Sequence, residues 1–345
     1  MKRVMIFTLH DANNMGAFLQ AYCLQQVLRA RGYAVSFGYA PPLQGHQRRL
    51  RWALGFVRRG EVGALAFKLR SARHNRALRG LLALEPQPVN EFQRCPIVIV
   101  GSDEVWNVRR NNAVPQPVFF GVGLSCERLI AYAACANTTT AADLRALPVP
   151  IDFRRFHALS VRDRPTERCV SEFSAGLAPA RVLDPTFLLP CAELDGRCPR
   201  IGLQRFILVY SYGCTPEEIA LAQALSRETG LPLISVGNRL PFCARSVVAT
   251  PFAFLAYLRA AALVLTSTFH GTALSIKYNK QFWVFAHQNP KVLDLLETFG
   301  LQAQNLTDPA NRAGWMARRI EYAPVNDMLT ALIARSFAFL ADALR

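Results

Sequence analysis

Short apolar runs alternate with stretches of helical spacing along most of this chain, and this alternation restricts the possible folds more than any other feature. RVMIFTL has the length and content of a strand, HDANNMG that of a loop, and AFLQAYCLQQVLRARG that of a helix closing on Gly32. YAVSFGY then makes a second strand, completing a βαβ opening. PIVIVGS, LIAYAACA, HALSVRD, the helix-like RPTERCVSEFSA and ARVLDPTFLL continue the series. The stretch from Pro190 to Arg200, with Pro, Asp-Gly and Pro, has the composition of a linker. A second series follows: FILVYSY, PEEIALAQALSRETG, LPLISVG, PFAFLAYLRAA, LVLTS, GTALSIKYN, QFWVF and PKVLDLLETFG. Strands separated by helices pair in parallel, so the expected class is α/β, with two Rossmann-like domains facing across a cleft. The boundaries fall at 1–190 and 200–310, and 311–345 is expected to be a helical segment.

Size and composition agree with this organisation. A chain of 345 residues exceeds what one hydrophobic core usually organises. Apolar residues make up 51% and charged residues 19%, the balance of a folded protein. PIVIVG and ALVLTS, the longest apolar runs, fall well short of the ~20 residues that span a bilayer. MKRVMIFTLHDANN carries no cleavage-site pattern and fits a first strand, so a cytoplasmic location is expected. Nine cysteines are dispersed without a CxxC pair, which suggests reduced thiols; no His/Cys cluster suggests a structural metal.

The net charge of +16 is unevenly distributed. Between residues 46 and 79, Arg48, Arg49, Arg51, Arg58, Arg59, Lys68, Arg70, Arg73, Arg76 and Arg79 face a single acid, Glu61. Leu50, Trp52, Leu54, Phe56, Val57, Leu65, Phe67 and Leu69 are interleaved with them, making a basic amphipathic insertion suited to an anionic membrane surface. A solvated helical face is the plainer alternative. Nucleic acid is not expected, because no helix-turn-helix, RRM or zinc-finger pattern is present.

LTSTFHGT, at 265 to 272, is the chemically richest segment. It carries Ser267, Thr268, His270, Gly271 and Thr272 from a buried strand into a helix start, where backbone N–H groups and the helix dipole suit a phosphate or carboxylate. Three other strand ends carry polar groups toward the same predicted edge: His10, Asp11, Asn13 and Asn14; then Gly101, Ser102, Asp103 and Trp106; then Ser160, Arg162 and Asp163.

On IFTLHDANNMGAFLQAYCLQQVLRARGY, IVIVGSDEVWN, AYAACAN, ALSVRDR, VLDPTFLL and LTSTFHGTALSIKYNKQFWVF, the chain resembles the polysaccharide pyruvyl transferase family over residues 4 to 285. GSDEVW and STFHG are the most specific elements. Glu104 replaces an expected glutamine, Met15 a common aromatic, and Cys135 to Asn137 a Ser-Phe-Gly type of turn; these departures bear on the acceptor. The resemblance implies a glycosyltransferase-B-like architecture. It further implies transfer of the enolpyruvyl unit of phosphoenolpyruvate to a sugar, giving a cyclic pyruvate ketal and phosphate without a cofactor. The sugar would belong to an oligosaccharide or polysaccharide precursor, and an undecaprenyl-linked one would place the protein peripherally at the inner face of the plasma membrane.

Under this resemblance Arg162 grips the donor through its planar guanidinium, with Ser267, Thr268, His270, Gly271 and Thr272 completing the donor site. His270 is the candidate acid, as histidines ordinarily titrate at ~6.5. Asp103 is the candidate base, and His10, Asp11, Asn13, Asn14, Ser102, Asp103 and Trp106 form the acceptor side. Asp184 is assigned to a turn at the domain junction and Lys277 to the surface, both outside the catalytic set. Two rivals remain at this level: a nucleotide-sugar glycosyltransferase of the same architecture, and a non-catalytic protein that docks on membrane or polyanion.

Overall fold

The computed structural model describes residues 2–10, 13–39, 62–82, 84–88, 95–109 and 116–345. Asp11 and the 46–61 part of the basic insertion lie outside the described residues.

Seven parallel strands form the first sheet: β1 (Arg3–Phe7), β2 (Ala34–Tyr39), β3 (Leu84–Pro88), β4 (Ile97–Val100), β5 (Arg128–Ala134), β6 (Ala158–Val161) and β7 (Ala180–Arg181), in the order β3-β2-β1-β4-β5-β6-β7. Five form the second: β8 (Ile207–Tyr210), β9 (Leu233–Val236), β10 (Arg245–Val247), β11 (Leu263–Thr266) and β12 (Phe282–Val284), in the order β10-β9-β8-β11-β12. Strands covered on both faces become continuously apolar, as in IVIV of β4 and ILVY of β8, where every residue is buried. Short strands β3 and β10 add edges that the apolar pattern did not announce.

Helices supply the crossovers. The first sheet has α1 (Met15–Ala30), α2 (Val62–Asn75), α3 (Ala141–Arg145), α4 (Arg164–Phe173) and α5 (Pro185–Leu188). Next comes α6 (Cys191–Asp195), which occupies part of the stretch expected to be linker because Leu194 is fully buried. The second sheet has α7 (Pro216–Thr229), α8 (Pro251–Ala260), α9 (Phe269–Lys277) and α10 (Pro290–Thr298). The tail is not helical throughout. Single 3-10 turns at Pro309–Asn311 and Trp315–Ala317 precede α11 (Tyr322–Leu344), because Gly314 at φ 61° and extended Arg318 interrupt the spiral.

The halves share an apolar core. Helix α1 is buried along nearly its whole length because both halves cover it. Phe18 and Tyr22 meet Phe252 of α8 edge-on, at centroid distances of 6.1 and 5.2 Å. Such aromatic pairs contribute ~0.5–1.5 kcal/mol each beyond area burial. Lys277 leaves α9 to donate to the carbonyls of Phe187 and Leu189, clamping one half to the other instead of lying along the surface. Helix α11 then returns to the first half: its Ser336 hydroxyl accepts from the Leu183 N–H at 2.9 Å.

In doubly wound sheets, ligands collect beyond the carboxyl ends of strands where the strand order reverses. That point lies between β1 and β4 in the first sheet and between β8 and β11 in the second. The residues following these four strands, Asn14, Asp103, Tyr212 and Ser267, line one cavity. The topology thereby brings the two reversal points together.

Candidate functional site

The chemistry is organised around a buried carboxylate that the sequence had marked only as a turn residue. Asp184 caps α5, accepting at Oδ1 from the Thr186 N–H at 3.0 Å and its hydroxyl at 2.8 Å. At Oδ2 it accepts from Arg162 Nη1 at 2.8 Å and Ser102 Oγ at 3.3 Å, and His270 Nε2 stands 3.5 Å away. Burial alone would raise the Asp184 pKa. His270 and then Arg162 outweigh it and hold the carboxyl well below the usual carboxylate range.

Arg162 follows β6 and is wholly enclosed. Its Nη2 lies 3.6 Å from Asp103, and its guanidinium carbon sits 4.0 Å above the centre of the Phe269 ring. Burial works against its charge, but nearby Cys135, Asp184, Asp103 and Asp163 all favour it and push the pKa well above an ordinary arginine. The guanidinium therefore converges with His270 as expected, but on a carboxylate belonging to the chain. It does not line that cavity but an adjoining one, with Phe269, Lys291 and Asp294, and its Nε and Nη2 are buried without a hydrogen-bond partner.

His270 enters the site because Thr268 caps α9, its hydroxyl accepting from the Gly271 N–H at 2.9 Å. This arrangement consumes the Gly271 donor. The first-turn N–H groups of Phe269 and His270 have no carbonyl to reach within the helix and are the ones that suit an anion. A Cβ on Gly271 would stand 2.1 Å from Thr266 Oγ1, so glycine is required by packing. Thr272 is buried and donates to the Thr268 carbonyl at 2.9 Å, which removes it from the donor set. Ser267 remains at the cavity wall, its hydroxyl 2.8 Å from that of Ser211.

The imidazole is fixed from the other half of the molecule. A Cβ on Gly16 would fall 2.1 Å from His270 Nδ1, so only a glycine in α1 lets the ring lie against that backbone. Nε2 is buried toward Asp184, and Nδ1 is the ring atom nearest Gly16.

The cavity measures about 220 Å³ and is lined by Asn14, Asp103, Glu104, Tyr210, Tyr212, Ser267, Thr268, Phe269, His270, Asn289 and Lys291. Lys291, in the first turn of α10, donates to Glu104 across the cleft and lies 5.9 Å from the Phe269 ring centre. A second clamp joins Arg164 of the first half to Asp294 at 2.8 Å and Glu297 at 3.0 Å.

Several residues of the expected acceptor set are elsewhere. Trp106 is a core residue, fully buried, donating its indole N–H to the Phe119 carbonyl at 2.7 Å among Phe120, Phe153 and Phe156. Ser102 is equally buried and turned to Asp184. His10 packs edge-on against Phe37 at 5.9 Å, and Asn13 accepts from Asn75 at 3.4 Å; neither lines the cavity. Asn14 does line it while capping α1. Asp103 lines it as well, from a left-handed backbone at φ 69° in a turn instead of a short helix. Asp184, Lys291, Glu104, Gly16 and Tyr212 were not placed in the site from sequence. The Asp-Pro pair at a strand end and the lysine directly after Pro290 were the available signals.

This is a pair of Rossmann-like domains with a histidine-carboxylate-arginine cluster at the cleft. The sequence profile of the polysaccharide pyruvyl transferase family matches residues 14–289, and the chain belongs to that family, among the transferases of polysaccharide biosynthesis. No curated protein matches the sequence. Among solved structures, the chain is similar to the Streptomyces sp. SF2575 glycosyltransferase SsfS6 complexed with thymidine diphosphate, at 13% identity and TM-score 0.47, covering 100% of both chains. It is also similar to the Neisseria meningitidis UDP-GlcNAc 2-epimerase bound to UDP-GlcNAc, at 10% identity and TM-score 0.45, covering 98% of this chain and 100% of that one. The E. coli heptosyltransferase WaaC with ADP matches at 12% identity and TM-score 0.39, covering 85% of this chain and 90% of that one.

Because the Asp184 pKa is lowered on folding, its stabilisation is complete above the unfolded value of ~3.9 and is lost as pH falls toward the folded value. Asp184→Asn should cost roughly 3–5 kcal/mol at pH 7 by leaving Arg162 unpaired. That deficit should shrink by up to ~1.4 kcal/mol per pH unit below pH ~4, measured by urea unfolding; a pH-independent deficit would rule the carboxylate out as its source. Gly16→Ala should displace the His270 ring, changing its imidazole NMR resonances and lowering Tm, although alanine is intrinsically better than glycine in a helix by ~1 kcal/mol. An unchanged imidazole spectrum with a raised Tm would show that the close approach is absent.

Proposed function

We propose that this protein transfers the enolpyruvyl unit of phosphoenolpyruvate to two hydroxyls of one sugar, forming a pyruvate ketal and releasing phosphate. The observation that carries this reading is His270, oriented by a buried carboxylate at the wall of a cation-bearing cavity in a chain of this family.

The donor needs charge neutralisation. Lys291 and the first turn of α9 supply it, with the helix dipole adding to the same field. His270 donates a proton to C3 of the enol, and the double-bond electrons form that C–H bond. C2 becomes an oxocarbenium-like centre, one sugar hydroxyl adds there, and Asp103 accepts its proton. The second hydroxyl bonds to C2 as the C2–O bond to phosphate breaks; its proton leaves with the phosphate. Throughout, the Asp184 carboxylate holds the ring from its Nε2 side, while Arg162 keeps Asp184 ionised and in place.

His270→Ala should reduce phosphate release from phosphoenolpyruvate by roughly 10²–10⁴-fold in the presence of lipid-linked or synthetic glycans, with product mass confirming the ketal. Undiminished turnover would refute the assignment.

A lipid-linked acceptor, such as an undecaprenyl-linked glycan, would be met at the inner face of the plasma membrane. No helix among the described residues is long and apolar enough to cross a membrane. Peripheral docking is supported by α2 and the turn after it, where Val62 and Leu69 are 58% and 57% exposed beside exposed Arg70, Arg73 and Arg76. Lys68 is excluded from that surface, because it donates to Asn238 and the Gly237 carbonyl. Basic residues near an anionic surface contribute ~1 kcal/mol each. Changing Arg70, Arg73 and Arg76 to Ser should weaken co-sedimentation with phosphatidylglycerol vesicles, and binding equal to the parent would dismiss the docking surface.

A further inference from the structure

A ketal-forming site must seat a sugar as well as the donor, and two features of the cavity are unsuited to an anion. Tyr212, two residues beyond β8, is 65% exposed yet lines the cavity that contains His270. Its loop is tied down on several sides. Asn238 Nδ2 donates to the Ser211 carbonyl at 2.9 Å, the Ser211 and Ser267 hydroxyls are 2.8 Å apart, and the Gly213 N–H donates to Ser211 Oγ at 3.2 Å. An aromatic ring on a backbone held in this way loses little freedom when a ligand covers its face.

Asn289 is the second feature. It precedes α10 without capping it, lines the same cavity, and its Oδ1 is buried with no hydrogen-bond partner. A buried acceptor without a donor is unfavourable until a ligand supplies one. Phosphoenolpyruvate at neutral pH presents acceptor oxygens and almost no donor, so it cannot relieve this atom. A sugar hydroxyl can. Pyranose rings also pair an apolar C–H face with a rim of hydroxyls, matching an aromatic plate beside a lone acceptor.

We infer that Tyr212 and Asn289 form the acceptor-sugar subsite, with the C–H face of a pyranose on the Tyr212 ring and one of its hydroxyls donating to Asn289 Oδ1. This inference rests on the pyruvyl-transfer reading and adds to it where the sugar lies. It places the ring between the halves, at the side of the cavity bounded by the loops after β8 and β12.

Saturation-transfer NMR with a panel of p-nitrophenyl hexopyranosides tests it, alongside thermal shifts induced by phosphoenolpyruvate. The parent should transfer saturation to ring C–H protons of at least one glycoside. Tyr212→Ala and Asn289→Ala should each bind that glycoside at least tenfold more weakly, and Tyr212→Trp should retain it. All three variants should keep the thermal shift with phosphoenolpyruvate. Glycoside binding undiminished in both alanine variants overturns the subsite, as does a parent that responds to phosphoenolpyruvate but to no glycoside. A parent that binds glycosides through these residues but ignores phosphoenolpyruvate would instead overturn the donor reading alone.

Discussion

The Asp184 carboxylate, out of contact with water and shared between a guanidinium and an imidazole, is the interaction on which the rest of the site depends. A carboxylate at that depth is unfavourable alone, and so is Arg162. Together with Ser102 and Thr186 they hold one another, and in doing so fix the ends of β4, β6 and β11 relative to α5. The arginine has a further hold through the face of Phe269, the first residue of the helix that carries His270. A single cluster therefore sets the position of the proposed acid and the charge beside it.

That cluster joins two halves, so it requires their separation to be held. Helix α1 does this by lying in the core of both, and Gly16 marks the point of closest approach to the imidazole. Lys277, Lys291 and Arg164 add polar ties at three other places around the interface. The cavity left between these contacts is small and bounded by the carboxyl ends of strands from both sheets. Its walls carry Lys291 paired with Glu104 and the start of α9 on one part, and Tyr212 and Asn289 on another.

Much of this arrangement was legible in the chain. The apolar runs at 97–100, 207–210 and 263–266 are strands because only a buried parallel strand needs side chains that are apolar on both faces. LTSTFHGT reads as a buried strand running into a helix expected to open at Gly271, and the structure has both, with the helix starting two residues earlier behind the Thr268 cap. Legibility failed where burial decides meaning. Trp106 and Ser102 share a loop with Asp103, and nothing in SDEVW tells which side chain faces the cleft; the aromatic one joined Phe120 and Phe153, where its area is buried. Thr272 follows Gly271 directly, yet its hydroxyl turns back to the helix backbone.

Local order along the chain determined the α/β class, the alternation of strand and helix, the cap at Thr268 and the family to which the protein belongs. These depend on side-chain periodicity and on short-range hydrogen bonds, which neighbouring residues encode. Tertiary structure alone decided that Asp184 neutralises Arg162 and orients His270, that Lys291 reaches Glu104, and that Gly16 makes room for an imidazole 254 positions away in the numbering. Those partners are remote in sequence, and their pairing follows from the way two sheets are packed around one helix, an arrangement that no local spacing records.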